Sequence, residues 1–482
     1  MELFVGRKDE LKKLDDLKYF KRACLVVMKG RRRIGKSRLV QEFAKRSKRR
    51  FITFNGIASQ GNATAQTQRD IFANQLAKNF GVEPTTFTDW YFAFEAVTPH
   101  LTQEPTVILF DEISWMGNKD HTFVPKLKLW WDLTLLKYPK LILIFCGSIS
   151  LWIEKNIVNS TSFFGRITLH IELEELSLSE SAAILRHMGF KGSTHDIFKI
   201  LAVTGGVPWY LEQILPGMLA DDNIKRLCFE KGGLFTKEFD IIFHDLFNGQ
   251  GSIYKKIVQV LAQGMKNLSE IRHLLNYSQS GSLSTLMHSL IIAGYVTQHY
   301  AWSLKTGEVG KQSLYRLSDN YIRFFIKYIE PNIAKINNNS FKYSPMHDLA
   351  GWESIMGLQV ENLLLNNREA LVQSLAIAPG DIVADNPYVQ RQTLRQKGCQ
   401  IDYLIQTKTN NLFVCEFKFK KNQIKSDIIT EMQEKIDRLS VPHGFGIVPV
   451  LFHLSGVSDG VEDQRYFYRI IDITDFLQND TI

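Results

Sequence analysis

The chain predicts an α/β fold that opens with a parallel sheet flanked by helices, and three stretches carry that expectation. Residues 30 to 37 read Gly-Arg-Arg-Arg-Ile-Gly-Lys-Ser, a complete G-x-x-x-x-G-K-[ST] phosphate-binding loop. The apolar run Thr106 to Phe110 ends in two carboxylates, Asp111 and Glu112. A second apolar run, Leu141 to Phe145, closes on the small residues Cys146, Gly147 and Ser148. Apolar runs of this length bounded by small or charged residues read as buried strands.

Each loop position has a mechanical task. Gly30 and Gly35 let the backbone curl so that successive N–H groups face phosphate oxygens, Lys36 reaches the β- and γ-phosphates, and the Ser37 hydroxyl ligates Mg²⁺. Arg38, in the first turn that follows, joins this nucleotide-binding set. The loop has the setting it requires: Cys24 to Met28 reads as a strand before it, and Arg38 to Phe43 opens a helical pattern after it. Asp111 is placed to hold Mg²⁺ through water, and Glu112 to orient the attacking water. Ser148 is placed to sense the γ-phosphate or that water. The expected cofactors are ATP and Mg²⁺, with hydrolysis favoured over passive binding.

Composition sets bounds. At 482 residues the chain exceeds one hydrophobic core, and about three domains are expected. A hydrophobic content of 45% with 22% charged residues is that of an ordinary globular protein. No apolar run reaches membrane-span length, and the opening residues Met1 to Glu10 are charged with no signal-peptide core. Cys24, Cys146, Cys228, Cys399 and Cys415 are scattered without a C-x-x-C pair. A cytoplasmic protein with free thiols and no membrane partner is the expectation. The net charge of +8 is uneven: residues 21 to 50 hold thirteen Lys or Arg and one acid, Glu42. The segment Lys45-Arg46-Ser47-Lys48-Arg49-Arg50 reads either as a basic surface for nucleic acid or as a solvated helix end whose cations suit the dipole.

Four regions follow along the chain. Residues 1–175 alternate strands, with Phe51 to Phe54 as the second, and amphipathic segments. Residues 176–240 read as helical. Residues 241–330 resemble a winged helix, with helices over 253–262, from 267 or 269, and over 282–293, then strands near 295–298 and 313–317. The third helix carries no Lys or Arg, so DNA contact, if present, falls to Lys305, Lys311 and Arg316 on the wing. An aromatic helix over 319–329 reads as core, and Pro331 with Asn337 to Ser340 marks a boundary. Residues 341–482 form the last region.

That region holds a second constellation. Gln400 to Ile405, a Lys-Thr-Asn-Asn turn and Leu412 to Lys418 alternate as a β-hairpin. Glu416 and Lys418, two apart, share a face, and Asp402 sits on the partner strand. Two carboxylates and an ammonium there would bind Mg²⁺ and stabilise a charged phosphoryl transition state. Glu361, on a helix expected over 352–365, would add a carboxylate, and Gln433 a polar lining. The same pattern also arises on surface hairpins with a charged face. The basic run Lys418, Lys420, Lys421, Lys425 could hold a phosphate backbone.

These residues together resemble archaeal and bacterial P-loop ATPases related to AAA+ and STAND proteins that carry a C-terminal DUF234 domain. The opening Phe4-Val5-Gly6-Arg7-Lys8-Asp9-Glu10-Leu11 is similar to that family's F-x-G-R-x-x-E-L start, which packs near adenine. Phe164-Gly165-Arg166 and Gly205-Gly206-Val207-Pro208-Trp209-Tyr210-Leu211 match two further motifs. The resemblance implies that Arg166 senses or stabilises the γ-phosphate, in cis or in trans, and that Pro208 lies near the base. Ile401-Asp402 with Glu416-Phe417-Lys418 resembles the PD-(D/E)xK nuclease core, with Ile401 where the pattern has Pro. It implies an α/β restriction-endonuclease-like domain with metal ligands Asp402 and Glu416 and catalytic Lys418. The expectation is an ATPase whose nucleotide state controls a metal-dependent nuclease acting on DNA, possible as a homo-oligomer. Its rival is a STAND-like switch with a non-catalytic C-terminal binding module.

Overall fold

The computed structural model describes residues 4–58, 64–148, 151–246, 251–277, 282–341, 346–394, 396–420 and 422–478. Lys421 of the expected basic run lies outside them. Two compact units result: one takes the chain up to Glu175 with His288–Gly294, the other Leu176–Met287 and from Tyr295 onward.

In the first unit the four expected strands and a fifth that the sequence did not predict, β5, form a parallel sheet. They are β1 (Cys24–Gly30), β2 (Arg50–Asn55), β3 (Thr106–Asp111), β4 (Leu141–Ser148) and β5 (Ile167–Leu173), ordered β2-β3-β4-β1-β5. β1 and β4 are almost wholly buried along their length, as a parallel sheet covered on both faces requires. One face packs a cluster that includes Phe54, Phe72, Trp90, Phe94, Phe110, Phe123 and Trp130. The other packs Leu14, Leu39, Val40 and Phe43 against Val26, Met28 and Ile144. All strands point the same way, so the loop after β1, the carboxylates after β3 and Ser148 at the end of β4 gather at one edge. β4 lies between β1 and β3, which puts Ser148 between the phosphate loop and Asp111.

The second unit begins with helices. Ser177 caps the helix Leu178–His187 and Ser193 caps Thr194–Thr204, each through a reciprocal capping box. Gly205 ends the latter at φ 59, ψ −164, a conformation suited to glycine. A Cβ on Gly206 would stand 2.2 Å from the Leu176 carbonyl oxygen, so this close approach demands glycine as well.

Helices Gly251–Ala262, Leu268–Leu274 and Ser282–Ile292 follow, then the antiparallel strands β6 (Val296–Trp302) and β7 (Val309–Leu317). Asn267 is the cap of the second helix, paired with Glu270. Lys305 and Lys311 are exposed, but Arg316 is not the wing contact the sequence suggested. It is 5% exposed and donates to His299 Nε2 at 3.1 Å and Asn366 Oδ1 at 3.1 Å. The aromatic helix is core: Tyr321, Phe324, Phe325 and Tyr328 are buried.

The last sheet is mixed, ordered β12-β11-β10-β9-β8, from β8 (Ile382–Gln390), β9 (Cys399–Thr407), β10 (Asn411–Lys418), β11 (Gly446–His453) and β12 (Arg469–Asp472). β8, β9 and β10 run antiparallel, while β11 and β12 continue parallel to β10. Trp302 Nε1 donates to Gln406 Oε1 at 2.7 Å, which fastens the β6–β7 hairpin to this sheet. The helix Trp352–Asn366 is tied to the aromatic helix by buried amides. Asn320 Nδ2 donates to the Gln359 carbonyl at 3.0 Å, and Gln359 Nε2 to the carbonyls of Ala202 and Asn320 at 2.8 and 2.7 Å.

His299 accepts from Arg316 through Nε2, so Nδ1 carries the proton and donates to Asn386 Oδ1 at 3.0 Å. Burial, with Arg316 and Arg368 beside it, lowers its pKa to about 3. The unfolded chain binds this proton near pH 6.5 and the folded one does not, so stability falls with acid below that value, by about 1.4 kcal/mol per pH unit. Urea unfolding should show wild type losing about 2 kcal/mol more than His299→Gln between pH 7 and pH 5.

Candidate functional site

The phosphate loop joins β1 to the helix Lys36–Arg46. Arg33 at φ 67 and Gly35 at φ 92 supply the left-handed turns that curl the backbone. Gly30 has no room for a side chain, since a Cβ would meet the Leu173 carbonyl at 2.7 Å. Lys36 is 6% exposed and donates from Nζ to the carbonyls of Gly30 at 2.9 Å and Arg31 at 3.0 Å, across the loop mouth. Arg7, buried in the opening motif, donates to the carbonyls of Glu174 at 2.6 Å and Ile34 at 3.3 Å, which fixes the loop from outside.

The carboxylates meet the loop as expected. Ser37 Oγ hydrogen-bonds Asp111, so hydroxyl and carboxylate share the point where a loop-bound Mg²⁺ would be held. Glu112 adopts φ 49, ψ 45, turning its side chain toward β4. It accepts from Ser148 Oγ at 3.0 Å and Ser148 N at 3.2 Å. The residues fit ATP and Mg²⁺: a glycine cradle at a helix N-terminus, a lysine at its mouth, and a hydroxyl–carboxylate pair.

Arg38 lies in the first turn of the loop helix. Arg166 directly precedes β5, at the sheet edge away from the phosphate loop of its own chain. Its guanidinium makes a bidentate pair with Asp132, Nε to Oδ1 at 2.7 Å and Nη2 to Oδ2 at 2.9 Å. Arg166 and Lys128 hold the Asp132 carboxyl below its ordinary range. Pro208 opens the short helix Pro208–Leu211 in the second unit, directly after the glycine pair.

Residues 4–214 match the family described as an ATPase domain predominantly from Archaea. This part of the chain is similar to that ATPase domain and carries the phosphate-loop geometry described above. An uncharacterized protein of Methanocaldococcus jannaschii is 26% identical over 350 residues, covering 70% of this chain and 72% of its own. Among solved structures, the Walker-type ATPase of Pyrococcus abyssi is 16% identical with a TM-score of 0.47, over 67% of this chain and 96% of that one. The ORC2 protein of Aeropyrum pernix is 13% identical with a TM-score of 0.41, over 69% and 98%. Among the described residues, no helix is long and apolar enough to cross a membrane.

The second constellation forms on β9 and β10. Val414 pairs with Leu404 and Cys415 with Tyr403, so one further step sets Asp402 opposite Glu416. Leu412 and Val414 face the core, and the alternation carries Glu416 and Lys418 along the same face. Like charges directly opposed on a ladder repel. Burial, then Glu416, then Glu361, push the Asp402 pKa up to about 8, although its carboxylate accepts from Phe417 N at 2.9 Å. Glu361 is raised too, chiefly by burial.

Two ammonium groups answer this charge. Lys418 Nζ stands 2.9 Å from Glu416 Oε1 and 2.8 Å from Glu431 Oε2. Lys435 pairs with Glu416 and reaches Asp402 at 3.9 Å. Among the described residues no three His, Cys, Asp or Glu side chains stand together as a ready metal cage. The donors nonetheless suit a hard divalent cation, and the Lys435 ammonium is a stand-in for one, shared between the same two carboxylates.

Gln433 does not line this site: it is exposed, donating to Asp437 at 2.7 Å and accepting from Tyr466 at 2.9 Å. Sequence reasoning missed Lys435 and Glu431, which lie in the helix Asp427–Arg438. Their four-residue spacing was the available signal, drowned by charged neighbours. Replacing Lys435 with Met should lower stability by about 2 kcal/mol in chelator, because Glu416 is left buried without one of its cations. Melting curves should show added Mn²⁺ restoring part of that loss in the variant and doing less for wild type.

Proposed function

We propose that the chain is an ATPase whose nucleotide state controls a metal-dependent, nuclease-like C-terminal site acting on DNA. The observation that carries the nuclease half is that Asp402, Glu416 and Lys418 share one face of β9 and β10, with the Lys435 ammonium between the carboxylates.

At the ATP site, Lys36 would leave the Gly30 and Arg31 carbonyls for the β- and γ-phosphates, and Ser37 and Asp111 would hold Mg²⁺. Glu112, fixed by Ser148, is the group positioned to orient water for attack on the γ-phosphorus. The bond to the β–γ bridging oxygen breaks, and ADP leaves with that electron pair. Arg166, which directly precedes β5 at the sheet edge opposite the phosphate loop, would stabilise the developing charge only in trans, at the loop of a second copy, after exchanging Asp132 for phosphate. Arg38, in the first turn of the loop helix, would complete the nucleotide contacts.

At the second site, Asp402 and Glu416, with Glu361 behind them, would hold Mg²⁺. The ion would supply Lewis-acid polarisation of the scissile phosphate and a more acidic bound water. Lys418, fixed by Glu416 and Glu431, would orient the attacking water and offset charge on the phosphorus oxygens. Water adds to phosphorus, one P–O ester bond breaks, and the leaving oxygen takes a proton. Exposed Lys305 and Lys311, with the basic residues after β10, would hold the backbone.

One observation favours a second reading. Lys418 and Lys435 already balance Glu416, as a purely structural ion-pair cluster would, and such a module would only bind a partner while the ATPase acts as a switch. Cleavage of supercoiled and single-stranded DNA with Mg²⁺ or Mn²⁺, with and without ATP, separates the two. Lys36→Ala should abolish ATP hydrolysis, and Glu416→Ala should lower cleavage at least 100-fold, an order-of-magnitude expectation. Absence of cleavage by wild type under every condition would leave the switch.

A further inference from the structure

Opposite the nucleotide edge, the first unit carries a basic and aromatic surface that the ATPase chemistry does not use. The strands are parallel, so their N-terminal ends lie together, about 20 Å from the phosphate loop across a seven-residue strand. Just before β1, Lys18, Tyr19, Phe20, Lys21 and Arg22 are all exposed, Tyr19 by 73% and Phe20 by 44%. Lys18 Nζ stands 5.1 Å from the Tyr19 ring centroid, and the Arg22 guanidinium 6.0 Å from that of Phe20.

Further cations share this edge. Lys45, Lys48 and Arg50 at the approach to β2, and Lys137 and Lys140 at the approach to β4, are exposed. Arg49 donates to the Lys140 carbonyl at 2.8 Å, spanning from one strand approach to another. It also lies near Cys24 and Asp15, and Arg22 acts on the same Cys24 thiol, so the two basic segments are neighbours. The acids at this edge include Asp15, Asp16, Glu104 and Asp132, the last paired with Arg166 just before β5.

We propose that this edge binds single-stranded nucleic acid, with Tyr19 and Phe20 stacking on bases and the surrounding Lys and Arg tracking the backbone. Two consecutive exposed aromatic rings differ from the singly scattered apolar residues of ordinary surfaces. A cation near a ring leaves the opposite face for a base, and unpaired bases present such faces where a duplex does not. Phosphates answer the positive charge, and every base has a π-face, so the surface selects strand state rather than sequence. The site is separate from Asp402 and Glu416 and does not rest on their being catalytic.

The test is fluorescence anisotropy of labelled oligo-dT and of an equal-length duplex with the full chain, over a range of salt. The variants are Tyr19→Ala/Phe20→Ala, Lys21→Glu/Arg22→Glu and the hairpin control Lys305→Ala/Lys311→Ala. ATP hydrolysis, expected unchanged in all three, reports folding. The aromatic variant should bind oligo-dT on the order of 10-fold or more weakly, with a smaller effect on duplex. Charge reversal should reduce the steepness of the salt dependence, and the hairpin variant, which removes a separate phosphate contact, should weaken oligo-dT binding less than either edge variant. Unchanged oligo-dT affinity in both edge variants overturns the proposal. So does tighter binding of the duplex that is indifferent to the aromatics, or capture only by anionic vesicles. Loss of oligo-dT binding with no cleavage by any protein would uphold this site while sinking the nuclease reading.

Discussion

Buried charge, and the partner it must find, is the constraint on which both units depend. Glu416 is 3% exposed and opposes Asp402 across an antiparallel ladder, an arrangement that repels unless a cation joins it. Helix Asp427–Arg438 supplies Lys435, and β10 itself supplies Lys418. In the first unit Lys36 and Arg7, both nearly buried, are satisfied by main-chain carbonyls of the phosphate loop and of the chain after β5. The positions of the helices therefore answer to a few ionic groups as well as to apolar surface.

Neutral polar groups extend the same logic through the second unit. Asn320, Gln359 and Asn362 are essentially buried and bond one another and main-chain carbonyls. Through Ala202 they reach the helix that ends at Gly205, and through Gln359 they reach the helix that carries Glu361. Buried amides of this kind have directional demands that apolar contacts lack, so they fix the rotation of each helix about its axis. Glu361 lies on the same helix, two residues from Gln359 and one from Asn362, so its position is set by that register.

Local chemistry made much of this legible. The loop residues, the strand runs and the terminal carboxylates each carry a short-range signal, and β1, β3 and β4 fell where apolar runs placed them. The hairpin of β9 and β10 followed from alternation and its turn. What escaped depended on distant partners. β8 contains Pro387 beside a register irregularity, which a central-strand pattern forbids but an edge strand tolerates. Arg316 reads as a solvent-facing wing residue until Asn366 and His299 close around it. Arg166 was legible as a motif residue, but nothing near it in sequence marks Asp132 as its acceptor.

A common feature links the residues on which the proposed chemistry rests. Lys36 rests on two carbonyls, Arg166 on Asp132, Lys418 on Glu416 and Glu431, and Lys435 on Glu416. A phosphate or divalent ion reaching these sites competes with an existing acceptor or cation rather than meeting a bare charge. The net gain is then the difference between two good pairings, which is smaller than either pairing alone. Such exchange suits reversible occupancy. It also makes occupancy responsive to modest shifts in helix position, because moving Lys435 changes the competition for Glu416 directly. Coupling between nucleotide state and the carboxylate site would require only that the ATP cycle alter one of these internal pairings by a few kcal/mol, the ordinary scale of allosteric coupling at about 1–3 kcal/mol.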